Sequence, residues 1–218
     1  MHLKRMLKKL VLGYKADSES YITFLKRRGA EIGDNVRIFT PAQTYIDTQA
    51  PHLLHIGTDV VITGPVTILI HDYSPFVCAR SHRNDERAAA SMRPVYIGDN
   101  VFIGWGSTIL PGAVIGENSI IGAGSVVSGV IEANSVYAGN PAKKKMEIEE
   151  FYNKRIERQE KEAFAVYESY VRSFNTIPSE KDFYGYESLW NNEKSAKCRY
   201  GSFKDFCNAA IKKTEEKN

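Results

Sequence analysis

The chain has 218 residues, of which 25% are charged, and a formal net charge of +3. This length suits one or two globular domains with a sizeable core. The positive excess lies in residues 1–29, and no lysine occurs between Lys26 and Lys143, so the central region lacks the basic stripe that is typical of nucleic-acid-binding proteins. The three cysteines form no CxxC pair, which argues against a disulfide framework and favours a reducing cytoplasm.

Two helices are predicted at the N-terminus. Residues 3–14 place apolar side chains on one helical face and Lys or Arg side chains opposite, which is amphipathic spacing. For this segment we favour a cap on the domain that follows, or packing on a neighbouring subunit, over a helix that lies on a membrane surface. A second helix is predicted from Ser18 to Arg28, with Gly29 ending it. The basic residues precede no long apolar stretch with a cleavage site, so we expect no secretory signal.

A six-residue repeat dominates the middle of the chain, from Ile97 to Glu132. Its first position is a branched aliphatic, its second is Gly in four of six repeats, and its fifth is small or branched: IGDNVF, IGWGST, ILPGAV, IGENSI, IGAGSV, VSGVIE. A short fixed period predicts a solenoid whose units bury their apolar faces by stacking on each other. The aliphatic residue should point inward, while Gly, Asn and Asp supply the turns.

Less regular repeats extend this region to residues 30–145, and a segment at 71–95 breaks the pattern. We interpret that segment as a long loop that leaves the solenoid, and long loops without structure of their own are usually functional. The repeat is lost in residues 146–218. There we predict a helix over 147–173, an irregular stretch, and a last helix over 202–213, with the aromatic residues serving packing.

The repeats, together with the segment AGNPAK that follows them, resemble the hexapeptide-repeat acyltransferases of the sugar, maltose and polysaccharide O-acetyltransferase type. The resemblance implies a mainly β fold, a left-handed parallel β-helix shaped as a triangular prism, here with N-terminal helices and an α-helical C-terminal extension. The handedness comes from the resemblance alone, because parallel crossovers are otherwise right-handed. The resemblance also implies a homotrimer with its active site between subunits. The cysteines favour a cytoplasmic location, and the charge pattern favours no nucleic-acid partner.

The activity that the resemblance implies is transfer of an acetyl group from acetyl-CoA to a hydroxyl of a sugar or polysaccharide precursor. This reaction needs a general base, and histidine suits that role because its pKa lies near neutrality. We favour His71, in the sequence HDY, which lies where the last irregular repeat meets the loop, as the catalytic His of the family does. His82 is the rival, because its distance to Pro94 fits the maltose-type enzymes slightly better.

The donor site is also inferred from the resemblance. In the family, acetyl-CoA lies in a groove between two subunits, and the corresponding positions here are Trp105, Ala123 and Ser128, which we expect along one edge of the prism. Relatives often carry Thr-Lys-Asp where this chain has Ser128-Gly129-Val130, so a lysine near the CoA phosphates is missing. The remaining candidates for phosphate contact are Lys143, Lys144 and Lys145.

For the acceptor we expect Asp47, Asp72 and Tyr73 to be near the sugar, although for Asp47 a turn role is as well supported. Two alternatives use the same fold: an N-acyltransferase acting on an amino-sugar nucleotide, and a non-catalytic assembly module. A zinc enzyme of the γ-carbonic-anhydrase type needs two His in an HxxxxH spacing. That pair does not occur, so no metal is expected.

Overall fold

The chain divides into two compact units, residues 1–151 and residues 152–218. The computed structural model describes residues 8–83, 87 and 90–215. The first unit contains the repeats, and the second contains most of the C-terminal helical segment. Each is described separately below.

The first unit is a three-sided column of short parallel strands. The first face consists of β1 (Glu31–Ile32), β4 (Leu54–Ile56), β9 (Val95–Ile97), β12 (Val114–Ile115) and β15 (Val130–Ile131). The second face consists of β2 (Arg37–Ile38), β5 (Val61–Ile62), β10 (Phe102–Ile103), β13 (Ile120–Ile121), β16 (Ser135–Ala138) and the antiparallel β17 (Lys143–Glu147). The third face consists of β3 (Tyr45–Ile46), β6 (Thr67–Ile68), β11 (Thr108–Ile109) and β14 (Val126–Val127).

The aliphatic residue at the first repeat position faces the interior of the column, as predicted. From the first repeat to the sixth this residue is at most 3% exposed: Ile97, Ile103, Ile109, Ile115, Ile121 and Val127. Burying an aliphatic side chain of this size contributes about 1.5–3 kcal/mol, so the stacked aliphatic residues stabilise the column. The predicted parallel β-helix is therefore confirmed.

The last coil of the column is shorter than the repeat predicts. Ile97 pairs with Ile115, so one coil between them takes eighteen residues. Ile115 pairs with Ile131, so the next coil takes only sixteen. We predicted that Ile131 holds the fifth position of a sixth repeat, and that assignment is wrong. Ile131 holds the inward first position, because Ser128 and Gly129, with φ of 73° at Gly129, turn the chain in fewer residues.

The corner between the first and second faces is built by a ladder of Asn and Asp residues in the left-handed backbone region. Their φ values lie between 52° and 58°: Asn35, Asp59, Asn100, Asn118 and Asn134. The Asn100 side chain donates to Asn118 over 2.8 Å, and Asn118 donates to Asn134 over 3.1 Å. Short amide side chains tolerate this conformation and bond locally, so the predicted turn role of these residues is confirmed.

A helix caps the start of the column. Helix α1 (Ser18–Arg27) begins where the Asp17 side chain accepts the Ser20 N–H, and it buries Tyr21 and Leu25 in the column's core. It ends as predicted at Gly29, whose φ of 100° is accompanied by the hydrogen bonds Gly29 N–H to Lys26 O and Ala30 N–H to Leu25 O. This is the paired bonding of a glycine-terminated helix.

The amphipathic segment before α1 does not close the column within this chain. Residues 8–12 are helical, and the part of that prediction falling on residues 3–7 lies outside the described residues. Leu10 and Val11 are 84% and 78% exposed, whereas Tyr14 stacks on Phe24 of α1 with ring centroids 3.8 Å apart. The cap is therefore formed by α1 and not by the described part of this segment, while packing of the segment on a neighbouring subunit stays a prediction.

The segment over 71–95 has structure of its own, contrary to our expectation of a loop. Strands β7 (His71–Asp72) and β8 (Ser91–Met92) pair antiparallel, and helix α2 (Phe76–Ser81) lies between them. The Ser74 N–H donates to Asp72 over 2.8 Å and the Phe76 N–H to Tyr73 O over 3.0 Å. These local bonds carry no six-residue or alternating signal, so the sequence pattern did not reveal them.

The C-terminal segment is helical where the sequence predicted. Helix α3 (Ile148–Phe174) begins in the first unit, and α4 (Phe203–Glu215) closes the chain, with two short 3-10 turns (Glu180–Asp182 and Glu187–Leu189) in the irregular stretch. The second unit has its own core, in which Phe206 contacts several aromatic rings: Phe164, Tyr167, Phe183, Trp190, Tyr200 and Phe203. These aromatic residues serve packing.

Candidate active site

The corner between the third and first faces brings two distant polar residues together. Asp47 directly follows β3, and its N–H donates to Ile68 O of β6 over 3.0 Å. Past β6 the chain continues through Leu69 and Ile70 to His71, which opens the β7–β8 hairpin. Because β3 and β6 are stacked in register, Asp47 and His71 lie on neighbouring coils at one corner.

Asp47 and His71 form a hydrogen-bonded pair at that corner. The Nδ1 atom of His71 contacts Oδ2 of Asp47, and the two side chains are 17% and 1% exposed. Asp47 is otherwise held by backbone groups: its Oδ1 accepts the Gln49 N–H over 2.9 Å, and its Oδ2 accepts the Ile70 N–H over 3.2 Å. The carboxylate is thus buried with both of its oxygens bonded.

The charge of Asp47 fixes which imidazole nitrogen carries the proton. Burial opposes ionisation, but the hydrogen bonds from Gln49, His71 and Ile70 outweigh it and hold the pKa of Asp47 below its ordinary value. An ionised carboxylate only accepts hydrogen bonds, so Nδ1 of His71 must donate. In a neutral imidazole this leaves Nε2 as the nitrogen that can take up a proton.

Tyr73 and Asp72 adjoin this pair. The Tyr73 ring lies 4.7 Å from the His71 ring, centroid to centroid, and its hydroxyl donates to Gln49 Oε1 over 2.9 Å. Asp72 accepts the Ser74 N–H, and this hydrogen bond lowers the pKa of the Asp72 carboxyl. Of the three residues predicted near the acceptor, Tyr73 is 45% exposed beside the imidazole, Asp72 holds a turn, and Asp47 lies buried against His71.

His82 lies in a different setting from His71. It is the exposed residue that ends α2, and its Nδ1 is 2.8 Å from Cys78 O and 3.0 Å from Ser81 Oγ. Both partners belong to its own helix. A carbonyl oxygen at this distance requires that Nδ1 donate, and among the residues that the structure describes no carboxylate contacts this ring.

The residues predicted on the donor side lie on two corners rather than along one edge. Trp105 and Ala123 follow β10 and β13 on the second face, and Gly124 N–H donates to Trp105 O over 2.7 Å. Ser128 follows β14 on the third face. The expectation of a single edge is therefore wrong, because five residues from Ala123 to Ser128 carry the chain across one whole face of the column.

The donor-side surface is open. Trp105 is 54% exposed, and Ala123 and Ser128 are exposed as well. A Cβ atom added at Gly124 or at Gly129 would meet no atom within 4 Å. The two corners that flank the third face therefore leave room for an extended ligand lying against the coils.

The lysine cluster is only partly available for phosphate contact. Lys144 is paired with Glu132 over 2.6 Å and with Glu147 over 2.7 Å, and these carboxylates raise its pKa. Lys143 and Lys145 are exposed on β17. Of the cluster, these two are the better placed to meet an anion, whereas Lys144 already has two carboxylate partners.

Sequence reasoning missed Gln49 and the link between Asp47 and His71. The signal was present in the register: Ile46 and Ile68 are equivalent positions of successive coils, so the residues that follow them must share a corner. Gln49 carries no such signal, because its side-chain contact depends on how the hairpin of β7 and β8 folds.

The described residues contain no group of three or more His, Cys, Asp or Glu arranged to hold a metal ion. Within the same residues, no helix has the length and apolar character needed to cross a membrane.

Comparison with known proteins relates the chain to one family. The model "Bacterial transferase hexapeptide (six repeats)" matches residues 94–129. Protein CapG of Staphylococcus aureus is 33% identical over 133 residues, which cover 61% of this chain and 74% of that protein. Galactoside O-acetyltransferase of Lactococcus lactis is 30% identical over 149 residues, which cover 60% of this chain and 69% of that protein.

Further curated relatives are covered over a smaller share of their length. The chain spans between 26% and 56% of the length of three further curated relatives. Among solved structures, a hexapeptide-repeat acetyltransferase from Vibrio cholerae matches with a TM-score of 0.49 and 18% identity, over 66% of this chain and 89% of that one. On the identity and coverage of the two bacterial relatives, and on the repeats that match the family model, the chain belongs to the hexapeptide-repeat acyltransferase family.

Proposed function

We propose that this protein transfers an acetyl group from acetyl-CoA to a hydroxyl of a sugar or polysaccharide precursor, with His71 as the general base. The observation that carries the proposal is the buried Asp47–His71 pair, which leaves Nε2 as the proton acceptor at a corner of the column. Family membership supports the acyl transfer, and the galactoside relative, an O-acetyltransferase by name, favours a hydroxyl over an amine as acceptor.

For this reaction the protein must position the two substrates and provide a general base. Acetyl-CoA supplies the acetyl group as a thioester. Nε2 of His71 takes the proton of the acceptor hydroxyl as its oxygen bonds to the thioester carbonyl carbon, and the CoA sulfur leaves and recovers that proton. Asp47 holds the imidazole in the required tautomer and stabilises its positive charge while the proton resides there.

For the donor we propose the surface beside the third face, with Trp105 and Ala123 at one corner and Ser128 at the next. The open space at Gly124 and Gly129 supports an extended ligand there. Lys143 and Lys145 are the cations that we assign to the phosphates, and such exposed contacts should weaken as salt is raised. Lys144, which is held by two carboxylates, has a smaller role in this assignment.

We further propose a homotrimer in the cytoplasm, with the site shared between subunits. Val114 and Val130 are paired neighbours on the first face, 38% and 70% exposed, and adjoining apolar side chains at the surface favour contact with another protein surface. The three cysteines, Cys78, Cys198 and Cys207, are free thiols, which suits a reducing compartment.

The test is release of CoA thiol from acetyl-CoA in the presence of a panel of saccharides. The panel holds neutral galactosides, maltose and glucose, with amino sugars as a separate arm. We expect thiol release with at least one hydroxyl acceptor, and an acetyl ester in the product by mass spectrometry. Transfer only to amino sugars would contradict the hydroxyl assignment. Absence of both CoA binding and thiol release would contradict acyl transfer itself.

A further inference from the structure

Gln49 bonds to both neighbours of the imidazole. Its backbone N–H donates to Asp47 Oδ1 over 2.9 Å, and its side-chain Oε1 accepts the Tyr73 hydroxyl over 2.9 Å. The first bond lies within the coil that carries Asp47, and the second reaches across to the hairpin that carries His71. One residue therefore ties together the two chain segments that meet at the proposed base.

Tyr73 constrains the imidazole from another direction. Its ring lies 4.7 Å from that of His71, with the ring planes at 54°. The backbone at Tyr73 is itself fixed, because its carbonyl accepts the Phe76 N–H over 3.0 Å at the start of α2, and the Phe76 ring lies 5.8 Å from its own. The phenol is thus held at its backbone, at its ring and at its hydroxyl.

A single hydrogen bond does not fix the orientation of an imidazole ring. Within residues 8–83, 87 and 90–215, the hydrogen bond of the His71 ring is the one from Nδ1 to Asp47. The ring can still rock about that contact, which moves Nε2. A neighbouring ring against the imidazole restricts this motion, and catalytic groups lose activity when they are loosely held. The restriction holds only while the phenol itself stays in place, which is the contribution of Gln49.

We propose that Tyr73 and Gln49 are a positioning pair that fixes the orientation of the His71 imidazole. The proposal rests on the proposed function, in which His71 is the base, and it gives Tyr73 a role other than the acceptor contact expected from the sequence. Neither residue needs to touch the reacting atoms. Tyr73 acts on the imidazole directly, and Gln49 acts through Tyr73.

A double-mutant cycle tests the pair. Tyr73→Phe removes the hydroxyl and keeps the ring, and Gln49→Leu removes its acceptor. Because one neutral hydrogen bond is lost in each case, we expect kcat to fall about two- to tenfold, with the KM values for acetyl-CoA and for the sugar unchanged. The double variant should be no slower than the slower single variant, since both changes remove the same bond.

Tyr96→Phe is the matched control. Tyr96 stacks on His55 at 4.4 Å in a second His–Tyr ring pair of the column, and loss of its hydroxyl should leave kcat unchanged. Additive losses in the double variant would overturn the pair. An increase confined to the sugar KM of Tyr73→Phe would also overturn it, because that result indicates direct acceptor contact.

A second readout does not depend on turnover. In the nitrogen-15 NMR spectrum of the histidine side chains, wild-type His71 should show one tautomer with a protected Nδ1 proton, and Tyr73→Phe and Gln49→Leu should both speed exchange of that proton. Unchanged exchange would overturn the positioning role. If wild-type protein transfers no acetyl group and the variants still speed exchange, the proposed function fails while the positioning pair stands.

Discussion

At the scale of single residues, the orientation of His71 depends on one buried carboxylate, that of Asp47. Asp47 is 1% exposed in its side chain, yet it is ionised because three donors converge on it. A buried charge is stable only when it is paired and hydrogen-bonded. Two of the three donors are backbone groups placed by the coils, so the fold itself prepares the carboxylate that orients His71.

The low pKa of Asp47 makes the stability of the fold depend on pH. Because this pKa lies lower in the folded chain than in the unfolded chain, the ionised form stabilises the fold above the ordinary Asp value of about 3.9. That contribution is lost as the pH falls through the folded pKa. In urea unfolding from about pH 7 to about pH 3, the free energy of unfolding of wild type should therefore approach that of Asp47→Asn. A difference that stays constant or widens in acid would contradict the low pKa.

At the scale of elements, the corners determine how the coils stack. Gly104 shows the close approach required at the second repeat position, since a Cβ there would lie 2.5 Å from the Ala123 nitrogen. Asn118 shows the other requirement, a left-handed backbone with φ of 52° whose side chain bonds both ladder neighbours. Different positions of the repeat thus set the spacing between coils and the direction of the turn.

Substitutions of Asn118 separate its two contributions. Asn118→Gly keeps the backbone conformation and loses two side-chain hydrogen bonds of about 0.5–1.5 kcal/mol each at most, whereas Asn118→Val adds a left-handed strain of about 1–2 kcal/mol. Urea unfolding should rank the free energies of unfolding as wild type above Gly above Val. If Val is as stable as Gly, backbone strain does not matter at this corner.

The sequence predicted the elements that repeat and missed those that do not. The inward column from Ile97 to Val127 and the turn at Gly29 were predictable because period and turn chemistry are local signals. The short last coil at Ile131 was not, because the six-residue frame puts Ile131 at the fifth position, where a branched residue also occurs in the first repeat. At the site, His71 was predicted with His82 as rival, but the contact between Asp47 and His71 requires the coil register, and Gln49 requires the folded hairpin.

At the scale of the whole molecule, our proposal is that two subunits share the site. The donor-side residues lie on two corners of an exposed column, and the surface between them is open. Val130 and its strand partner Val114 are 70% and 38% exposed side by side on the first face, and adjoining exposed apolar residues favour a covered surface in an assembly. The trimer proposal therefore ties the oligomeric state to the activity.

Sedimentation equilibrium at micromolar concentration tests whether the activity depends on the trimer. We expect a mass three times that of the 24.5 kDa chain, and we expect Val130→Asp to lower that mass and the CoA affinity together, because a buried unpaired carboxylate is costly at an interface. Asn192→Asp, which introduces the same charge at an exposed polar residue of the second unit, is the comparison. A wild-type monomer that still releases CoA would refute a shared site.

The central claim is that His71, and not His82, is the base. His71→Asn keeps a side-chain N–H for Asp47 while it removes the proton acceptor, and His82→Asn makes the same change on α2. With the best saccharide acceptor, His71→Asn should slow CoA release about 10²–10⁴-fold without altering the far-UV circular dichroism, and His82→Asn should remain close to wild type. Full activity in His71→Asn, with activity lost in His82→Asn, would contradict the account.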